Sequence, residues 1–572
     1  MRKRWVGPIV IVCAILLVCA RVFVAPWRWA VGDALVDGFG THWFFWYVQE
    51  VMAGRTGWLH TDLLFYPWGK DVYVHTGGNL LDAVLATPLL LVFGRTLGYN
   101  LWIALMLAGN GWAGARLGRA MGATVGWPGG LALILNPYVL YEIEAGRPMQ
   151  AFLFFPALAM AWLWRLSSWR EAVLAGVAVG LSGVGYWYYG LVLGVLAGVN
   201  ALVCITTGPD RLGIAVRHVV VGVIALLLAL PFAWPMMHAL TTGSVPGLLA
   251  LDGTGTIAPL SLRTVEGDAE GLYVIAWLRG AAGSLIDDEG LRFNEGVSPL
   301  LVVDALVLGW AFWRGPGRAR LGAWCVVVFV IASGPAFVVG HELIRNPMYL
   351  MAVASSGILR RWWWPGRAVF VLHLLVAGLA ARMAARKWVG GALLAGAILQ
   401  LSPVLLLSRW DAAVPTPVAC LATLEGAVID IPYLTDQKNL WYQTVHHRPL
   451  LGGMLVKKPA FGGAQAEAWL AGNSFLRVLD AIGNRRWTSD LTFDEADRAA
   501  VVERGYRWIL VRAEWFRRPV TRRNGAVEWE SEWSRPKRLL ERAIASPPLA
   551  ADAAVALYAV DPAEAAAVHC AP

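Results

Sequence analysis

The sequence predicts a polytopic α-helical membrane protein with a small C-terminal α/β domain outside the cytoplasm. Three observations carry this. Of 572 residues, 58% are hydrophobic and only 15% charged, a balance soluble chains seldom reach. Apolar runs of membrane-entering length recur from Val6 to Leu407, and arginine-bearing loops follow every second one. From Ser408 these runs stop, and short strand and helix periods replace them.

MRKR precedes the apolar run Val6–Ala20. VCARVFVAP is a poor cleavage site and more spans follow, so this is an uncleaved first helix with its N-terminus in the cytoplasm. The loop 27–82 is then outside. Leu80–Phe93 is short and carries Pro88, whereas a full span needs about 20 residues. The following loop, ARLGRAMGA, is basic and therefore cytoplasmic, so parity allows one crossing between Asp82 and Arg116. Leu80–Phe93 is accordingly assigned to the outer leaflet, and Asn100–Ala115, extended back to Leu97, to the second span. Val125–Tyr141, Ala151–Leu166, Ala172–Gly185, Leu191–Thr206, Val219–Leu240, Val297–Phe312, Leu321–Val339, Ala368–Ala381 and Trp388–Leu407 bring the expected total to about eleven crossings. A long polar segment, 241–296, falls outside. The expected organisation is a membrane domain over 1–407 and an extracytoplasmic domain over 408–572.

In that second domain VIDIPY, YRWILVR and VALYAVD alternate like strands. Ala464–Asp480 and Phe493–Arg504 have helical period, the latter after Thr492 as N-cap. The net charge of +9 is spread over short arginine loops, which is the positive-inside pattern and excludes a nucleic-acid partner as its explanation. The six cysteines show no metal-ligand spacing. Cys420 and Cys570 flank the polar tail and can pair if it lies outside the cytoplasm. The 31 tryptophans suit the bilayer interface and also suit stacking on sugar rings.

The most unusual stretch is Asp33–Asp82, polar, aromatic and Gly-rich, with aspartates 33, 37, 62, 71 and 82 and histidines 42, 60 and 75. From Asp37 the pattern runs D-x-x-x-x-x-W-F-F-W, then LLFYPWGKDVYVHT, then ATPLLLVFG and YNL. It continues through NPYVLYEIEAGRPMQAFLFFPAL, NEGVSPLLVVDALVLG, WPGR and IDIPY…WYQTVHHRPLLGG. This series, covering nearly the whole chain in order, resembles the GT-C glycosyltransferase superfamily, and within it the bacterial membrane proteins described as YfhO-like. The resemblance implies a GT-C-like fold, a polyprenyl-phosphate-linked sugar donor, an acceptor lipid, polysaccharide or protein at the outer face, and a first-loop acidic residue near the transferred sugar.

Asp37 is then the expected base. In an inverting transfer a carboxylate takes the proton of the acceptor hydroxyl as the lipid phosphate departs. Asp33, one helical turn nearer the membrane, is its alternate, and His42 a residue that orients a carboxylate or binds phosphate. The structural alternatives are a solvated Asx turn before Gly38 and a packed histidine. Glu142 and Glu144 close the third span ahead of Arg147. Oligosaccharyltransferases of the superfamily hold a divalent metal with a D-x-E-like pair in this position, so Glu144 is an expected acidic partner. A cation (Mg or Mn) would be held by Asp37 and Glu144; users of monophosphate-linked donors generally do without one. The alternative is a Glu–Arg147 ion pair. Arg360, Arg361 and Arg367 surround WWWP, with Trp363 inside it, and would clamp the leaving phosphate. The alternative there is a snorkelling interfacial belt. Asp304 and His373 fall within spans. They are the residues a transporter or lipid flippase, the rival reading, would use, and buried structural groups otherwise.

Overall fold

The computed structural model describes the chain apart from residues 1–5, 73–79, 208–209, 243–305, 312–316, 333–335, 340–341, 349–350, 352–364, 385–404, 433–436, 454–462, 487–491, 522–526, 566–567, 569 and 571–572. Two compact units divide it. The first is made of Met1–Ala34, Thr76–Ser244 and Leu248–Asp411. The second joins Leu35–His75 to Ala412–Pro572, with Val245–Gly247.

The first unit is helical. Leu80–Phe93 is a helix with the bounds its apolar run predicts, Pro88 included. Gly94, at φ +76°, turns it into the 26-residue helix Arg95–Ala120, longer than the expected second span at both ends. Helices pack here through small residues, as they do where lipid supplies no hydrophobic drive. A Cβ on Gly114 would stand 2.6 Å from the Gly129 carbonyl oxygen, so the helices Arg95–Ala120 and Trp127–Ile134 touch backbone to backbone. Trp169–Gly185 starts at a capping box, with Ser168 and Glu171 satisfying each other's backbone amides. Trp187–Thr207 and Arg211–Thr242 follow. Asn200 crosses between neighbours, donating to Leu163 O at 3.1 Å and lying 3.0 Å from His218 Nε2.

Several expected spans end or break differently. Val125–Tyr141 is not one helix but two, Trp127–Ile134 and Pro137–Glu144. Asn136 accepts from the amides of Tyr138 and Val139, and Pro137 has no amide to extend the earlier helix. Ala151–Leu166 gives one shorter helix, Phe154–Arg165, and the expected outer loop before it forms the short helix Pro148–Ala151. Leu321–Val339 gives the helix Arg318–Ala332, but its end forms a hairpin, Ala336–Val339 against Glu342–Arg345. Among the described residues two helices, Trp187–Thr207 and Arg211–Ala239, are long and apolar enough to cross a membrane. The expected count of about eleven is not reached there. Most of 241–296, most of the expected spans Trp388–Leu407 and Val297–Phe312, and Asp304 lie outside the described residues. Outward-facing Ile9, Val12, Leu16, Val219, Leu226, Leu227 and Trp234 give the helices Val6–Val18 and Arg211–Thr242 the apolar outer faces that lipid requires.

The second unit has a four-stranded sheet in which Ala427–Ile431 runs parallel to Tyr506–Arg512, and Val555–Ala559 and Ala550–Ala551 continue antiparallel. The three predicted strands are thus its three main ones. Ala427–Ile431 and Val555–Ala559 are buried along their whole length, because helices cover the sheet. The predicted helix Ala464–Asp480 is broken by Asn473, which caps Ser474–Gly483 by accepting from Leu476 N–H. The helix predicted over Phe493–Arg504 runs Glu495–Glu503, and its N-cap is Asp494 rather than Thr492. Cys420 and Cys570 are disulfide-bonded, with Cα atoms 5.5 Å apart.

The tail was expected to fold as 408–572, but the first-loop segment Leu35–His75 is part of the same unit. Gln443 shows how. Its Oε1 accepts from Trp43 Nε1 at 2.7 Å, and its Nε2 donates to Leu63 O at 2.7 Å and Arg448 O at 2.9 Å. Trp43 and Gln443 are both fully buried. Leucine at 443 would fill the volume and leave the Trp43 indole N–H and the Arg448 carbonyl unpaired, while Leu63 O keeps its bond from Leu450 N–H. Gln443→Leu is therefore expected to cost about 3 kcal/mol, measured by unfolding of the whole protein in denaturant. A loss below about 1 kcal/mol would mean this network does not hold the segment.

Candidate active site

Helix Pro137–Glu144 ends at Ala145, and Gly146, at φ +72°, swings the chain into Arg147 and the short helix Pro148–Ala151. The turn folds Arg147 back. Its amide donates to Glu142 O at 2.7 Å and its Nε to Glu142 Oε2 at 2.6 Å. The pair is inaccessible, 3% and 0% exposed. One turn before Glu142, Tyr138 lies with its hydroxyl 2.7 Å from that of Tyr189, which donates to Gln150 O at 2.5 Å. A second guanidinium enters from the turn Pro365–Val369. Arg367 is buried, bonds the Tyr186 hydroxyl and lies 5.5 Å from the Tyr186 ring centre. Its charge also interacts with Glu142, Arg147 and Tyr138. Two guanidiniums, one carboxylate and three phenols thus share one buried cluster of the first unit. His373, on the next helix, has its ring 5.8 Å from that of Tyr138.

Of the residues expected at the site, Glu142, Arg147 and Arg367 are brought together. Glu144 is not with them. Residues two apart on a helix point to different sides, so Glu142-x-Glu144 is not an acidic pair. Glu144 Oε2 accepts from Ser408 N–H at 2.9 Å, and its backbone oxygen accepts from Asp33 N–H at 2.6 Å. Gly32 makes this approach feasible: it holds φ +94°, and a Cβ there would lie 2.6 Å from Ile143 O. Asp33 and Glu144 are neighbours through this backbone bond, both half-buried. Among the described residues no three His, Cys, Asp or Glu side chains gather in the way a metal centre of three protein ligands requires.

Asp37 and His42 belong to the second unit. Asp37 lies half-buried in the irregular turn Ala34–Gly38 that opens helix Phe39–Met52. His42 is 5% exposed and packs edge-on against Trp441 at 5.1 Å, which is the placement of a core histidine. Arg360, Arg361 and Trp363 lie outside the described residues. The sequence reading missed the tyrosines. Nothing in the spacing of YWYYG, residues 186–190, separates a bilayer anchor from a buried hydroxyl.

Lys70 and His446 of the second unit titrate far below their ordinary values. Burial pushes the Lys70 ammonium down to about 7 from its usual 10.5, against the opposing pull of Asp71. Burial, with His447 and Arg448 adding to it, pushes His446 down to about 3 from 6.5. His446 Nδ1 already accepts from Arg448 N–H at 3.0 Å, which a proton there would break. In both cases the unfolded chain binds the proton more tightly. Stability of this unit is therefore expected to fall as pH drops from about 6.5 towards 3, and to rise as pH climbs from about 7 to 10.5. Denaturant midpoints across that range check this, and Lys70→Met should flatten the alkaline limb alone.

No protein-family model matches the chain, and no curated protein matches it. Solved structures do. The oligosaccharyltransferase of Archaeoglobus fulgidus, in complex with zinc and sulfate, aligns with 92% of this chain and 73% of its own at a TM-score of 0.50 and 12% identity. The mycobacterial arabinofuranosyltransferase AftD aligns with 98% of this chain at a TM-score of 0.55 and 16% identity. The matched region is 42% of AftD, so this chain spans less than half of that enzyme. Identities this low speak to architecture alone: what the chain shares with the oligosaccharyltransferase and the arabinofuranosyltransferase is their fold.

Proposed function

We propose that the protein is an inverting glycosyltransferase of a bacterial inner membrane, moving a sugar from a polyprenyl-phosphate donor to a lipid, polysaccharide or protein acceptor outside the cytoplasm. The observation that carries the reading is the buried gathering of Arg147 and Arg367 with Glu142 and three tyrosines, in a chain with a GT-C fold. Two fixed guanidiniums in a dry site are the chemistry that binds a phosphate and stabilises it as a leaving group. Glu142 holds Arg147 in place, and the Tyr138–Tyr189–Gln150 relay fixes the helix ends that carry it.

In the reaction the acceptor oxygen attacks the anomeric carbon. The bond from that carbon to the phosphate oxygen breaks, and polyprenyl phosphate leaves with the electron pair. The acceptor proton passes to a carboxylate, which we assign to Asp37. The Cys420–Cys570 disulfide supports an oxidising compartment for the second unit, and with it an N-terminus in the cytoplasm. Of the two residues that the alternative transporter reading would use, Asp304 lies outside the described residues and His373 is packed against Tyr138.

The test is transfer by the purified protein in detergent. Polyprenyl phosphates carrying labelled hexoses and pentoses are supplied with an extract of envelope lipids and glycans. Label appearing on an acceptor supports the reading. Label that stays on the donor while reconstituted protein carries the intact donor across vesicles would replace it with the transporter reading.

A further inference from the structure

An aromatic ledge on the second unit lies apart from everything assigned above. Four of its members come from distant parts of the chain. Trp68 belongs to the first-loop segment, Trp469 to helix Gly463–Gly472, Arg504 caps the end of helix Glu495–Glu503, and Tyr506 opens the central strand. The Trp68 and Trp469 rings are 5.1 Å apart, and Trp469 stacks over Tyr506 at 6.1 Å with planes 13° apart. The Arg504 guanidinium lies 4.7 Å from the Trp469 ring centre and 5.0 Å from that of Trp68. Beneath them Tyr66 meets Tyr506 edge-on at 5.8 Å, and the Tyr506 hydroxyl bonds the Tyr66 carbonyl. Tyr506 is buried, Tyr66, Trp68 and Trp469 are half-exposed, and Arg504 is exposed.

We infer that this ledge is a binding site for a neutral glycan chain, the distal part of the acceptor. The inference rests on the reading of the protein as a glycosyltransferase, and it narrows the acceptor from lipid, polysaccharide or protein to one bearing an oligosaccharide. Sugar rings present C–H faces that pack on aromatic faces, while their hydroxyls need donors and acceptors at the ring edge. Half-exposed indoles with a guanidinium anchored between them supply both, at small entropic cost because the rings are already stacked. Exposed Glu503, next to Arg504 in the chain, offsets the guanidinium charge and favours an uncharged chain. An apolar protein or lipid surface laid here would have to dehydrate these charged groups, which is costly without designed partners.

The experiment uses the full chain in nanodiscs, with three neutral hexasaccharides as probes: β-1,4-linked glucose, α-1,6-linked mannose and β-1,6-linked galactose. Binding is read by tryptophan fluorescence and by saturation-transfer NMR. At least one probe is expected to bind, and Trp68→Ala and Trp469→Ala are each expected to weaken it about tenfold, the worth of one ring stack. Trp469→Phe keeps a ring against Tyr506 and serves if the alanine variant fails to fold. Absence of binding to all three probes, or binding by folded Trp68→Ala and Trp469→Phe as tight as wild type, overturns the inference and leaves the ledge as packing. Failure of the glycosyltransferase reading shows separately, as hexasaccharide binding that persists in a protein that moves no label from any donor.

Discussion

Asp37→Asn is expected to lower sugar transfer by about 10²- to 10⁴-fold, the range a positioned general base contributes. Asparagine has nearly the shape of aspartate, so the turn Ala34–Gly38 and the helix it opens should persist. What is lost is the capacity to accept a proton. The effect should appear in single-turnover transfer at saturating donor, with donor affinity little changed, because the base acts on the acceptor hydroxyl and not on the phosphate. Asp33→Asn is the paired control. Asp33 meets Glu144 through its backbone amide, which the substitution leaves intact. A small effect at Asp33 and a large one at Asp37 would support the assignment. The reverse would transfer the role to Asp33, and full turnover by both variants would end the proposal of a first-loop base.

How much of this was legible in the sequence depended on the range of the interaction that decides it. Leu80–Phe93 matched to the residue, because its limits are set by local signals: a polar loop before it and Gly94 after it. The strands VIDIPY, YRWILVR and VALYAVD were legible from their alternation, a signal carried within each short segment. The break at Asn136 was readable in principle, as Asn followed by Pro is an N-cap signature, but it lay inside an apolar run that satisfied the length expected of a span. The membership of Leu35–His75 in the second unit was not legible at all. It depends on pairs such as Trp43 with Gln443, about four hundred residues apart, and periodicity carries no information at that range. The site divided in the same way. Arg147 and Arg367 were found because charge near a span demands a use. Tyr138, Tyr186 and Tyr189 were missed because an aromatic near a helix end has an ordinary interfacial explanation.

Glu142→Ala is expected to destabilise the protein by about 3 to 5 kcal/mol, the cost of leaving a buried charge without its counter-ion. Arg147 is inaccessible, and its Nε bonds Glu142 directly, so solvent cannot take the carboxylate's place. The informative partner is the double variant Glu142→Leu with Arg147→Met, which removes both charges and refills the volume. Such replacements of whole buried pairs are often neutral or stabilising, so its thermal midpoint should lie near wild type and well above the single variant. Transfer then separates two reasons for the pair to exist. If the pair only pins the turn at Gly146, the folded double variant should transfer normally. If Arg147 binds the donor phosphate, the double variant should fold and yet bind donor poorly. Loss of one charge-assisted bond predicts about a 10- to 100-fold rise in the donor Kd. Because stability stays near wild type while donor affinity falls in that one protein, a general weakening of the fold cannot imitate the result.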